Sequence, residues 1–218
     1  MKTHLIFGLS VIGLILAFAV GSSYYKGKQA EKIGFLAQEN AELFVRDHSQ
    51  TMGSDDAKVY LIEFMDPACE TCAAFSPLVK QMIVTNPGKI KLVLRYAPFH
   101  DGADYFVKIL EAAKKQGKYW ETLNVMYKTQ PYWASHHNPQ PQRIWQFLPQ
   151  AGVDMERIRK DMNDPAIAKL IDQDLADAKT LNVRKTPGFF VNGKPLQTFG
   201  SKQLLQLVQS ELKANYPN

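Results

Sequence analysis

Cysteine is almost missing from this chain. Its 218 residues include two, and both stand in one tetrapeptide, Cys69-Glu70-Thr71-Cys72. That scarcity argues against the metal and cofactor readings of the motif. A structural zinc site needs four ligands, and the pair supplies two. His136 and His137, which could complete such a site, lie far along the chain in a Pro- and Asn-rich stretch. Covalent haem requires a histidine after the second cysteine, where Ala73 stands. A purely structural disulfide across so short a loop would remove little chain entropy. The chain also lacks internal repeats and any basic stripe interleaved with aromatics, so nucleic acid is a poor partner for it. What remains is thiol–disulfide exchange. It needs an exposed, reactive thiolate and a second thiol near enough to resolve the mixed disulfide.

The composition is that of an ordinary globular protein, 45% hydrophobic and 22% charged, with a formal charge of +5. The basic residues are scattered among acidic ones, which suits solubility and some attraction to anionic membrane surfaces. One long apolar run stands out, Leu5 to Gly21, followed by Ser22-Ser23-Tyr24-Tyr25-Lys26. At about 1.5 Å per helical residue, the stretch 5–25 can just cross a bilayer core of about 30 Å. Two readings of residues 1–25 stay open. Ala17-Phe18-Ala19 offers the small residues of a signal-peptide cleavage site, which would release the protein into the periplasm. An uncleaved, single-pass signal-anchor fits the length of the run and places Tyr24 and Tyr25 at the interface; it is the favoured reading. Lys2 faces Lys26, Lys28 and Lys32 across the segment, so charge does not set the orientation. Chemistry does: disulfide exchange suits an oxidising compartment, which puts the domain on the extracytoplasmic side of the inner membrane.

Residues 26–54 read as a spacer, helical from about Ala30 to Arg46 through an apolar stripe at Ile33, Leu36, Leu43 and Phe44. Residues 55–218 read as one α/β domain. Lys58–Met65 and Ile90–Tyr96 have the apolar, β-branched character of buried strands. Between them Asp66-Pro67-Ala68 makes a turn and a helix runs from Cys69 towards Thr85. Strand, helix, strand is the unit of a parallel sheet. From about 102 to 181 strand signals vanish, and a helical insert is predicted with segments Ala103–Lys115, Tyr119–Lys128, Gln142–Ala151, Met155–Met162 and Pro165–Leu181. Gly188–Asn192 and Pro195–Phe199 then form a hairpin around Asn192-Gly193. A helix from Lys202 to about Ala214 closes the chain.

The chemistry centres on the start of the first domain helix. Unpaired N–H groups and the helix dipole would stabilise a Cys69 thiolate, making Cys69 the nucleophile and Cys72 the buried resolving thiol. Glu70 and Thr71 would tune the potential, the Glu70 carboxylate making the site a milder oxidant than a cationic neighbour would. Strand alternation places Glu63 on the face shared by Val59, Leu61 and Met65. Directed inward, it would have a raised pKa and could shuttle a proton to and from Cys72; at an edge it would be solvated. Pro77 falls inside the first helix and shapes it. Thr186-Pro187 precedes the hairpin, where the Thr186 backbone could meet an extended substrate. His100 has no partner the sequence names.

In order along the chain, Glu63-Phe64-x5-Cys69-x-x-Cys72, Arg95-Tyr96-Ala97-Pro98-Phe99-His100, Gln116-Gly117-Lys118-Tyr119-Trp120-Glu121 and Thr186-Pro187-Gly188-Phe189-Phe190-Val191-Asn192-Gly193 resemble the DsbA-like thiol:disulfide oxidoreductases of the thioredoxin superfamily. The resemblance covers about residues 55–215. It implies a thioredoxin-like fold with a helical insertion, Cys69 attacking, Cys72 resolving, Pro187 in the cis form beside them, and Glu63 as the buried acid. The Glu-Thr dipeptide departs from the Pro-His of strongly oxidising members and from the Gly-Pro of thioredoxin. Threonine before the cis proline also occurs in isomerase-type relatives.

The sequence therefore reads as an enzyme with no cofactor beyond a redox-active Cys69–Cys72 disulfide, and no metal. It would pass that disulfide to reduced or misoxidised exported proteins and be reoxidised by a quinone-linked membrane partner. The alternatives are a reductase or isomerase fed by a membrane electron donor, or a redox-inert chaperone or adaptor that holds peptide near Pro187.

Overall fold

The computed structural model describes residues 11–25, 27–28, 41–134 and 138–217. Five strands form one sheet in the order β1-β3-β2-β4-β5: β1 Gln50–Gly53, β2 Val59–Met65, β3 Ile90–Tyr96, β4 Gly188–Val191 and β5 Lys194–Pro195. β2 and β3 pair in parallel, with Glu63 opposite Leu94 and Met65 opposite Tyr96. The other three pairings are antiparallel. Helix α1 (Glu70–Thr85) makes the crossover from β2 to β3. Between β3 and β4 lie α2 (Ala103–Lys114), α3 (Tyr119–Thr129), α4 (Met155–Asp161) and α5 (Pro165–Thr180), and α6 (Ser201–Asn215) ends the chain. This is a thioredoxin-like α/β fold with a helical insert.

Local chemistry accounts for the element ends. Asp154 caps α4 by accepting the N–H groups of Glu156 and Arg157 at 3.0 and 3.1 Å. Asp164 caps α5 through Ala166 N–H at 2.9 Å, with Pro165 in the first turn, where its missing donor costs nothing. Asn192 and Gly193 both have positive φ, 48° and 78°, which suits the two-residue turn from β4 to β5. β5 stops at Pro195 rather than running to Phe199, because proline brings no N–H to the ladder. The stretch 142–151, predicted as one helix, is instead two 3-10 segments, Pro141–Gln146 and Leu148–Ala151. Pro149 interrupts the run of donors that an α-helix needs.

Strand β1 lies within the stretch that the sequence assigns to a spacer. Four residues with one apolar side chain carry little strand signal, and the pairing with β3 supplies what local propensity does not. Gly53, at φ 109°, lets β1 approach β3 where a Cβ would run into the Ile90 carbonyl. Of the proposed helix from Ala30 to Arg46, residues 30–40 lie outside the described residues, and Ala41–Leu43 is a 3-10 turn. Residues 11–25 are helical, and residues 5–10 of the proposed membrane segment lie outside the described residues. Among the described residues no helix is long and apolar enough to cross a membrane.

The sheet buries both faces. Leu61, Met65, Leu92, Leu94, Tyr96 and Phe189 share one core with α1, α2, α3 and α6. Ile62, Phe64, Val93 and Phe190 share the other with Ala178, Leu181 and Phe44. The second face also buries an ionic cluster that the sequence did not disclose. Arg95, fully buried on β3, donates to Asp174 at 2.9 and 2.6 Å, to Asp177 at 2.6 Å and to the Leu43 carbonyl at 2.8 Å. Arg46 adds two bonds to Asp177, both 2.9 Å, and His48 Nε2 meets Asp174 at 2.6 Å. The cluster ties the chain before β1 to α5 and the end of β3. Removing one partner of a buried ion pair leaves uncompensated charge, so Arg95→Leu is expected to destabilise the protein by about 3–5 kcal/mol in urea unfolding. A loss under about 1 kcal/mol would show the cluster to be dispensable.

Candidate active site

The two sulfurs lie at the C-terminal edge of the parallel strands, where β2 hands over to α1. Asp66 directly follows β2, and the Cys69 N–H donates to the Asp66 carbonyl at 3.0 Å, closing a tight turn. Cys69 is the N-cap of α1, with extended backbone (φ −75°, ψ 117°). It occupies the place where Ser, Asp or Asn would ordinarily satisfy the open N–H groups of a first turn. Cys72, one turn in, is fully buried, and both residues are free thiols.

Their environments push the two thiols apart. Cys69 falls to a pKa of about 5: the Cys72 thiol hydrogen-bonds it, and Thr186 and the N–H groups of Cys72 and Thr71 add to this against an opposing cost of burial. Burial drives Cys72 well above the ordinary thiol range, and its bond to Cys69 and the nearby Glu63 charge raise it further. Glu63 is 4% exposed on β2, and burial, with the Cys69 charge behind it, lifts its pKa to about 8. At neutral pH the site therefore holds one thiolate, one thiol and a mostly protonated carboxylic acid. The inward placement of Glu63 follows from β2 sitting between β3 and β4 rather than at an edge.

The Thr186–Pro187 peptide bond is cis. The Cys69 sulfur lies 3.3 Å from the Thr186 carbonyl oxygen, which brings the segment before β4 directly against the start of α1. Beside it runs a groove of about 530 Å³ lined by Thr71, Val183, Thr186, Pro187, Phe189 and Phe199. Phe75 on α1 packs on Phe189 and Phe199 at centroid distances of 5.6 and 5.0 Å, forming the groove's aromatic wall. Glu70 is exposed on the first turn, and the Cys69 thiolate is favoured with that carboxylate adjacent in sequence.

Three differences from the sequence reading stand out. Cys69 is only 4% exposed, because the Thr186 segment covers it, so a partner must reach it through the groove rather than across open surface. His100 does have a partner: its Nδ1 lies 2.7 Å from the buried Asp66 carboxylate. Gln130 was not anticipated either; it donates to the Pro67 carbonyl at 3.0 Å and braces the same turn. The two are 34 and 63 residues from their partners, beyond any local pattern. His136 and His137 lie outside the described residues, and among the described residues no cluster of His, Cys, Asp and Glu could hold a metal ion.

The pKa separation has a direct readout. Alkylation of Cys69 by iodoacetamide, followed by mass spectrometry of the modified peptide, should titrate with a midpoint near pH 5, with Cys72 unreactive at neutral pH. A Cys69 midpoint near the ordinary thiol value of about 8.5 would contradict this arrangement.

Similarity to known proteins agrees with the geometry. The family model described as Thioredoxin matches residues 46–210. The chain is 28% identical over 145 residues to the Na(+)/H(+) antiporter NhaA of Herminiimonas arsenicoxydans, a match spanning 66% of this chain and 22% of that protein. The chain thus spans about a fifth of the length of that curated relative. It is 25% identical over 204 residues to the probable disulfide bond formation protein D of Bacillus cereus, covering 88% of this chain and 91% of the relative. Among solved structures, the thiol-disulfide exchange protein alpha-DsbA2 of Wolbachia pipientis superposes with a TM-score of 0.68 at 19% identity, over 84% of this chain and 97% of that one. With a parallel βαβ core, a helical insert and a Cys-x-x-Cys helix start facing a cis proline, the chain belongs to the thioredoxin superfamily and has the fold of its DsbA-like thiol:disulfide oxidoreductases.

Proposed function

We propose that this protein is a thiol:disulfide oxidoreductase that donates the Cys69–Cys72 disulfide to exported proteins. The observation that carries the reading is the Cys69 thiolate, stabilised to a pKa of about 5 at the start of α1. A thiolate this stable is a good leaving group and favours the reduced form of the pair, which makes the disulfide an oxidant.

The exchange runs in two displacements. A substrate thiolate attacks Cys69 Sγ, the Cys69–Cys72 bond breaks, and its electron pair goes to Cys72. The raised pKa of Cys72 means that this sulfur takes up a proton, and Glu63, neutral up to about pH 8, is the acid that supplies it. A second substrate thiolate then attacks the substrate sulfur of the mixed disulfide and expels Cys69 as thiolate. The substrate loses two electrons and gains one disulfide, and the protein ends as the thiolate–thiol pair. The groove beside Thr186 and Pro187 suits an extended, partly apolar chain. Phe99, Tyr132 and Phe199 are exposed aromatics: Phe99 precedes His100, which bonds Asp66, Tyr132 stands two residues after Gln130, which bonds Pro67, and Phe199 packs on Phe75 of α1. Substrates of this kind are found outside the cytoplasm. There, residues 5–25 would tether or export the domain and a membrane quinone-linked oxidase would restore the disulfide.

Mixing the oxidised full chain with a reduced peptide carrying two cysteines should yield one peptide disulfide per protein. Cys69→Ser is expected to abolish the reaction, and Cys72→Ser, which cannot form the internal disulfide, to trap a mixed disulfide through Cys69 when mixed with the oxidised peptide, whose own disulfide is broken with release of one peptide thiolate. Glu63→Gln should slow the first displacement by about 10²-fold, the lower range for general acid–base catalysis, without moving the Cys69 midpoint, because Glu63 is already neutral near pH 5. Peptide oxidation that survives Cys69→Ser would overturn the assignment.

A further inference from the structure

We propose that His100 is a positioning residue for the exchange reaction: through Asp66 it locks the turn that carries Cys69 and so sets how the sulfur meets the first turn of α1. The inference deepens the thiol-exchange reading and rests on it. Asp66 is fully buried at the end of β2. Its Oδ1 accepts the Ala68 N–H at 2.8 Å. Its Oδ2 accepts the His100 backbone N–H at 2.9 Å and faces the His100 ring Nδ1 at 2.7 Å. The same residue's carbonyl accepts the Cys69 N–H. One carboxylate thus spans the three-residue turn before Cys69 and pins it to the connection between β3 and α2.

Burying a carboxylate is costly unless its oxygens are hydrogen-bonded, and beside the Ala68 N–H it is His100 that meets Asp66, through both its backbone N–H and its ring Nδ1. His100 is held in turn by its own chain: Ala97 N–H bonds the Met65 carbonyl at 2.8 Å and Ala103 N–H bonds the His100 carbonyl at 3.0 Å. From the other side Gln130 grips the Pro67 carbonyl. Cys69 itself has no side-chain cap on its helix, so its orientation depends on this turn. The sulfur must face the Thr71 and Cys72 N–H groups and Thr186 at once. A small rotation of the 66–69 backbone would spoil that convergence, although His100 takes no part in the bond making or breaking described above.

The test is the pH dependence of Cys69 alkylation in the full chain. Loss of the ring donor in His100→Ala is expected to raise the Cys69 midpoint by about one pH unit, equivalent to an approximately tenfold slower alkylation well below the midpoint. His100→Asn, whose amide N–H can occupy the place of Nδ1–H, should restore the wild-type midpoint, whereas His100→Gln, which carries its amide further out, should not. A merely structural role would lower the melting temperature and leave the midpoint of the folded protein unchanged; that result in the Gln variant, which decides the matter even if the Ala variant fails to fold, would overturn the proposal. A wild-type midpoint near 8.5 would instead count against the reactive-thiolate reading on which the inference rests.

Discussion

A helix start leaves backbone N–H groups without partners inside the helix, and in this protein the residue at the N-cap position is a cysteine. The usual caps are oxygens. A sulfur in this place is stabilised only as a thiolate, by the Cys72 thiol above all and then by Thr186 and the N–H groups of Cys72 and Thr71, so that stabilisation appears as acidity. Lowering a thiol from 9 to about 5 represents roughly 5 kcal/mol of preference for the charged form. At pH 7 the part that favours the dithiol over the disulfide is roughly two pH units, about 2.7 kcal/mol or about 60 mV for a two-electron couple. The disulfide has no such thiolate. On the proposed reading the site accepts electrons because its reduced form carries the stabilised thiolate.

The rest of the edge can be understood from that constraint. Burial keeps both Cys72 and Glu63 protonated, and the nearby Cys69 thiolate adds to it, because two negative charges cannot lie close together in a buried site without cost. The groups that repel one another as anions are thereby sorted into one thiolate, one thiol and one neutral acid, the states that the proposed nucleophile, resolving thiol and proton donor require. The Thr186 segment covers the sulfur on one side and the aromatic wall of Phe75, Phe189 and Phe199 bounds the approach on the other. Exposure of Cys69 is low, and selectivity then rests on what can lie in the groove.

Much of this was legible in the sequence where local pattern and chemistry agree. The β2 and β3 runs, the capped helices and the Asn192-Gly193 turn each carry their own signal, and Cys69-x-x-Cys72 advertises itself through the absence of other thiols. Glu63 was readable as inward-facing from strand alternation alone, though the sequence could not decide between a central and an edge strand. What was not legible depends on pairing between distant segments. β1 exists because β3 offers it an edge. Arg95, Asp174 and Asp177 each look like ordinary surface charges until the fold brings them together behind the sheet. His100 and Asp66 are likewise unremarkable apart, and the 3-10 turns of 141–151 keep a helix-like apolar pattern while their prolines forbid the α-helical one.

The central claim, that a stabilised Cys69 thiolate at the start of α1 makes this pair an oxidant, is tested most directly by its reduction potential. The pair would be equilibrated with glutathione redox buffers at pH 7 and the fraction of dithiol measured. A potential between about −120 and −180 mV, the range of protein-oxidising enzymes, is the expected result. A potential near −270 mV, the thioredoxin value, would contradict it and point to a reductase supplied with electrons.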